Sequence, residues 1–138
     1  SFPKDKDMQP QPSKAAIIGK QLVDLCNEGK NIEAVKTLYA KDVVSVEAMA
    51  MPPMEQTLTG IDKVLGKSEW WFANHEVHSS KAEGPYPHGD DRFAVIFDID
   101  VTPKAGPMTG QRMAMRELGV YTLKNDKIVK EEFYYGMG

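Results

Sequence analysis

Apolar positions recur along the chain with two different periods, and the change between them divides the sequence. Ser13 is a plausible N-cap, and after it Ala15, Ile18, Leu22, Leu25 and Cys26 follow the i, i+3, i+4 spacing of an amphipathic helix. That helix is expected to run to about Glu28, with Gly29 able to stop it. Asn31 is placed to cap a second, shorter helix whose stripe is Ile32, Val35, Leu38 and Tyr39. The β-branched run 43–49 predicts a strand, ended by Pro52-Pro53. Gly60 opens a third helix carrying Ile61, Val64, Leu65, Trp71 and Phe72.

From Glu76 onward the period is two. Strands are expected at about 77–84, 92–102, 111–124 and 127–135. Residues 85–90 and 103–110 read as connections. Asn125-Asp126 makes a tight hairpin, because that pair tolerates positive φ. Helices followed by an antiparallel meander predict an α+β domain. The expected organisation is an extended or disordered tail over 1–13 and one domain over 14–138. The tail holds three prolines and four charged residues, and Met8 is its one candidate for docking on a partner subunit.

The alternation also decides which side of the long strands faces inward. With Asp100 opposite Arg112, Asp98 lies opposite Ala114 and diagonal to Arg112 and Arg116. That face alternates opposite charges and is expected to be solvated or to meet a partner. The other face carries Phe93, Val95, Phe97 and Ile99, then Met113, Met115, Glu117, Gly119 and Tyr121. A one-residue slip would bury the charges. The inner wall is therefore apolar and methionine-rich, with one carboxylate, Glu117, in its middle. A buried carboxylate is either partnered or useful. Glu117 either bonds Tyr121, another wall group or a backbone amide and fixes the packing, or it does chemistry.

Composition narrows the function classes. A length of 138 residues fits one domain with one core. The net charge of −3 lacks the basic excess that drives phosphate binding, so no nucleic-acid partner is expected. No apolar run approaches the ~18 residues of a membrane span, and residues 1–7 hold no apolar signal core, so neither a membrane partner nor a secretory leader is expected. The single cysteine, Cys26, rules out an intrachain disulfide and suits a reducing compartment such as the cytoplasm. His75 and His78 have His-x-x-His spacing, and His88 could join them through the turn. They straddle a helix-to-strand junction, so the spacing does not set convergence, and no metal is assigned. There is no Gly-rich phosphate loop and no Rossmann fingerprint, so no cofactor is expected.

Three segments carry a family resemblance. The passage from Leu38-Tyr39-Ala40-Lys41-Asp42 into Val43-Val44-Ser45-Val46-Glu47 resembles the helix-to-strand passage of NTF2-like proteins, which include ketosteroid isomerase and the SnoaL-like polyketide cyclases. Gly60-Ile61-Asp62-Lys63-Val64 is similar to the start of their third helix. Asn125-Asp126-Lys127-Ile128-Val129, running on to Phe133-Tyr134-Tyr135, is similar to their final hairpin and aromatic-ended strand. The likeness covers about 14–136. It implies a cone: three N-terminal helices packed on a curved, mostly antiparallel sheet enclosing a pocket. It also implies a homodimer through the outer sheet face, for which the Asp98, Asp100, Arg112 and Arg116 ladder is suited.

Functional positions carry over one by one. The proton-shuttling carboxylate of the isomerases falls on Glu47, one methylene longer. Their protonated oxyanion-hole acid falls on Gly119, and Glu117 lies two residues earlier on the same face. Their oxyanion-hole tyrosine has no match on the first helix. Glu47 and Glu117 are thus the candidate catalytic pair, because two carboxylates in an apolar cavity drive one pKa toward neutrality. Trp70, His75, Phe97, Met115, Tyr121 and Tyr135 are the candidate substrate-binding residues. Loop 49–54, with its three methionines and two prolines, is a pocket lid or simply an edge.

Three functions remain open. One is cofactor-independent acid/base chemistry on a small, largely apolar carbonyl compound, of isomerase, cyclase or hydratase type. The second is a non-catalytic binder of a small apolar ligand. The third is a protein-interaction or dimerisation domain with an incidental cavity.

Overall fold

The computed structural model describes residues 11–136. Residues 1–10, with Met8 and most of the expected tail, lie outside the described residues. Two helices open the domain, α1 (Lys14–Asn27) and α2 (Asn31–Leu38), followed by β1 (Tyr39–Val46) and a short β2 (Thr57–Thr59). Then come α3 (Ile61–Ala73), β3 (His75–His88), β4 (Arg92–Pro103), β5 (Met113–Lys124) and β6 (Lys127–Tyr134). The six strands form one curved, unclosed sheet in the order β2-β1-β6-β5-β4-β3. Every pairing is antiparallel except β1 with β6.

The predicted stops and starts have identifiable causes. Ser13 caps α1, its hydroxyl accepting from the Ala16 amide at 3.0 Å. Gly29 follows the helix at φ 74°, open to glycine without strain. Helix α2 begins at Asn31, with Lys30 as its N-cap and no side-chain capping bond. Asn125 and Asp126 take φ of 52° and 63° in the last hairpin. Along α1 the buried side chains Ala15, Ile18, Leu22, Val23 and Cys26 meet Val43, Phe93, Val95 and Ile128 in a single core, and Gly19 is buried among them.

Strand expectations hold in kind and fail in extent. β1 starts four residues earlier than the β-branched run suggested and ends at Val46. β3 continues through the expected 85–90 connection as far as His88, with a register shift between Glu83 and Tyr86. It is an edge strand, and the Asn27 side chain caps it inside the fold. The Asn27 Oδ1 accepts from the Ala82 amide at 2.8 Å, and its Nδ2 donates to the Ala82 carbonyl at 3.0 Å. Both backbone groups are thus satisfied without another strand.

The register of β4 with β5 differs from the expected one by two residues. Asp98 faces Arg116 and Asp100 faces Ala114, so Arg112 is not opposite Asp100. A slip of two leaves every side chain on its own face, so alternation cannot detect it. The loop between the strands decides: Gly110 donates to the Pro103 carbonyl at 2.9 Å, and pairing begins only at Val101 and Met113. Arg112 reaches Asp100 diagonally, with bonds of 3.0 and 2.9 Å.

The faces themselves are as expected. Ser45, Glu131, Tyr121 and Phe93 stand in one row across four strands. Phe133, Gly119 and Val95 form the next, then Glu117, Phe97 and Ala82, then Met115, Ile99 and Ser80. Among the described residues, no helix is long and apolar enough to cross a membrane.

Candidate functional site

Polar groups sit on this otherwise apolar wall in a connected chain. At one end is Glu131, 4% exposed, the one carboxylate among the described residues that is buried outright. The Tyr39 hydroxyl donates to its Oε1, and the Ser45 hydroxyl donates to its Oε2 at 2.6 Å. Lys67 of α3 then donates to Ser45 Oγ at 2.5 Å and to Glu47 Oε1 at 2.9 Å. Tyr135 donates to the other Glu47 oxygen at 3.0 Å. Lys67 therefore joins two carboxylates, one deep and one nearer the end of the sheet.

Each member has a structural reason to be there. Lys67 is one turn past the buried Val64, on the inward stripe of α3, and its side chain keeps only 13% exposure. Glu47 directly follows β1, held by its amide's bond to the Gln56 carbonyl at 2.9 Å. Glu131 faces inward because β6 is irregular. Ile128 pairs with Leu123 and Lys130 with Thr122, so Val129 is an extra residue and the alternation changes side.

Glu117 stands apart from this chain yet senses it. Its side chain makes no hydrogen bond among the described residues, neither to Tyr121 nor to a backbone amide. Its pKa is pushed up from 4.5 to about 7, first by burial and then by the negative charge of Glu47. Lys67 pulls it down and Glu131 pushes it further up. Burial also raises Glu131, opposed by Lys67 and by the Ser45 and Tyr39 bonds. Tyr135 is raised by burial and by the neighbouring Glu47 charge. A half-buried carboxyl with no fixed partner and a pKa near neutrality can take up and return a proton at working pH.

The other expected site residues divide. Phe97 pairs directly with Glu117 across β4 and β5 and is buried, and Met115 is the next inward residue on Glu117's own strand, half-buried. Tyr121 is 2% exposed and stacks on Phe93 at 4.9 Å, so it supports the wall from within. Trp70 turns outward, 38% exposed. His75 stacks on Trp71 at 4.3 Å and donates from Nδ1 to the Trp71 carbonyl at 2.7 Å. Among the described residues, no hydrogen bond or ring contact joins Trp70 or His75 to the carboxylates. His75 and His88 lie at opposite ends of the 14-residue β3, about 40 Å apart at the usual rise. His78 bonds Thr102 at 2.7 Å instead.

Gly119 is packed, not vacant. A Cβ there would lie 2.9 Å from a ring carbon of Tyr121 and 3.1 Å from Phe97, so no acid side chain fits at that position. Two open grooves lie elsewhere. One, of ≈ 360 Å³, crosses β3 to β5 beside Lys81, Asp98, Asp100 and Arg116. The other, of ≈ 500 Å³, lies beside Lys41 and the start of α3. Sequence reasoning missed Lys67, Glu131, Tyr39 and Ser45. Only Lys67 carried a usable signal, as a lysine three residues after Val64 on an apolar stripe.

The comparisons agree with this architecture. The family model of the SnoaL-like domain matches residues 14–135. No curated protein matches the chain. A crystal structure from Mesorhizobium loti, described as a candidate SnoaL-like polyketide cyclase and, in brackets, as a carbohydrate phosphatase, is 46% identical. It has a TM-score of 0.80 over 87% of this chain and 97% of that one. An NTF2-like protein from Burkholderia thailandensis is 16% identical, with a TM-score of 0.74 over 91% and 92% of the two chains. A protein of ketosteroid isomerase-like fold from Catenulispora acidiphila, solved in complex with trimethylamine, is 21% identical, with a TM-score of 0.65 over 87% and 85%. The last two are likenesses of fold alone.

Proposed function

The chain belongs to the SnoaL-like domain family, and from that premise we propose that its inner wall lines a pocket in which Glu117 moves a proton on a small, largely apolar carbonyl compound, with no cofactor. The observation that carries this reading is Glu117 itself: inward-facing, without a hydrogen-bond partner among the described residues, and raised to about 7. In the step, the Glu117 carboxylate takes a proton from the carbon beside the carbonyl. The C–H electron pair becomes the C=C bond of an enolate, and the carbonyl oxygen takes the charge. Glu117 then returns the proton to the same or a conjugated carbon.

Glu47 has a different role from the one its position suggested. Both of its oxygens are engaged, by Lys67 at 2.9 Å and Tyr135 at 3.0 Å. Its charge helps hold Glu117 near neutrality, while Phe97 and Met115 supply the apolar contacts around that carboxyl. The test is hydrogen–deuterium exchange at the α-carbons of small cyclic enones and 1,3-diketones, followed by NMR. The wild type accelerates exchange, and Glu117→Gln slows it by roughly 10²–10⁴, the usual worth of one general acid/base. If no compound exchanges faster with protein than without, the pocket serves binding alone.

A homodimer through the outer face of β3 to β5 is part of this reading. That face presents the ≈ 360 Å³ groove and the exposed side chains of Arg112 and Arg116, 64% and 67% open. An isologous contact can pair such charges across a two-fold axis.

A further inference from the structure

Lys67 is the one cation among the charged groups that act on Glu117; the other two, Glu47 and Glu131, are negative. An enolate forming on this wall would meet two carboxylates, and in a half-buried setting like charges repel strongly. A positive group nearby would offset them, and among the described residues Lys67 is the cation that acts on Glu117. Its ammonium has three N–H bonds in a fixed tetrahedral fan. Ser45 Oγ takes one and Glu47 Oε1 takes another. The third has no hydrogen-bond acceptor among the described residues. The Lys67 nitrogen also lies over the face of Phe133, 5.4 Å from the ring centroid. Phe133 pairs with Gly119, two residues along the inner face from Glu117.

We propose that Lys67 is a catalytic residue of this site, its third N–H binding the carbonyl oxygen that gains negative charge when Glu117 removes the neighbouring proton. This rests on the reading of Glu117 as the proton-transfer group. The carbon gives its proton to Glu117, the electron pair moves onto the oxygen, and the Lys67 ammonium holds that oxygen without giving up its own proton. Ser45 and Glu47 are then positioning residues, which fix two N–H bonds so that the third is aimed. The ligand class follows: a compound with an enolisable carbonyl whose oxygen and acidic C–H can reach α3 and β5 together.

The test uses 4-nitrophenol, whose anion carries its charge on one oxygen as an enolate does and is read by its yellow absorbance. Bound to the wild type, it is expected to ionise at least about one pH unit lower than when free, a tenfold preference for the anion, comparable to one charge-assisted hydrogen bond. In Lys67→Met that shift disappears. Because this variant leaves Glu47 without its counter-ion, Lys67→Met/Glu47→Gln is measured beside it and is expected to bind the neutral phenol without the shift. Glu117→Gln removes a neighbouring carboxylate without touching Lys67's hydrogen bonds and should keep the shift or enlarge it. If the double variant keeps the shift, or the wild type binds only the neutral phenol, Lys67 is not the donor, although the pocket stands. If nitrophenol does not bind at all, the pocket and this proposal fall together.

Discussion

Replacing Glu117 with glutamine should make the protein more stable at pH 8, even though it removes the proposed proton carrier. Burial and the Glu47 charge raise the Glu117 pKa from 4.5 to about 7. At about 1.4 kcal/mol per pH unit, that rise is worth about 3 kcal/mol. The sign follows from proton binding. Between the two values the folded state holds the proton more tightly than the unfolded state. The group's contribution is therefore fully present below about pH 4.5 and is lost as pH rises through about 7. Glutamine has no charge to bury and no such loss.

Wild type and variant should differ by about 1 kcal/mol or less at pH 5 and by about 3 kcal/mol at pH 8, with the variant the more stable. The matching difference in Tm at pH 8 is about 10 °C for a chain of this size. Urea denaturation followed by Trp70 and Trp71 fluorescence measures it, provided the m-value is unchanged between the two proteins. Glu131, also raised by burial, contributes with the same sign in both proteins. A difference that is the same at both pH values, or a variant less stable at pH 8, would refute the reasoning.

The remaining predictions concern the frame around the site. Tyr39→Phe removes a hydroxyl donor from the buried Glu131 and should cost about 1.5–3 kcal/mol in urea denaturation at neutral pH. Gly119→Ala puts a methyl 2.9 Å from Tyr121 and should cost about 1–3 kcal/mol, seen as a lower Tm. Asn27→Ala frees the edge of β3 and should speed amide exchange at Ala82, whose N–H loses its 2.8 Å partner. Arg112→Glu with Arg116→Glu should shift sedimentation toward the monomer; an unchanged profile would remove the outer face as the dimer contact.

Much of the fold is legible from periodicity alone. Three helices and the long strands each carry enough repeats to fix their type, and the inward set Phe93, Val95, Phe97, Glu117, Gly119 and Tyr121 follows from alternation. What alternation cannot carry is a displacement by two, which keeps every face; hence the mistaken pairing of Asp100 with Arg112. β2 is three residues long, too short to show any period. The parallel contact between β1 and β6 depends on chain closure over more than eighty residues, which no local pattern encodes.

The site is legible in part for the same reasons. Glu117 lies on a regular strand, so its direction could be read, and Glu47 came through family likeness at the end of a recognisable strand. Glu131 could not be read, because the extra residue at Val129 reverses the alternation that would have placed it. Tyr39 fits the apolar stripe of α2 by spacing, yet it is the first residue of β1, buried with its hydroxyl on Glu131. Ser45 is small and sits among valines, where only its partners reveal a function.

The account rests most heavily on one carboxyl group, and that group can be observed alone. Carboxyl-carbon NMR on glutamate-labelled protein, assigned with Glu47→Gln, Glu117→Gln and Glu131→Gln, gives each titration directly. The account predicts that Glu117 titrates near pH 7 and moves down when Glu47 is replaced, because a neighbouring negative charge is gone. Titration of Glu117 near the model-peptide value of about 4.3 would contradict it, since such a group is solvated and has no reason to hold a proton at working pH.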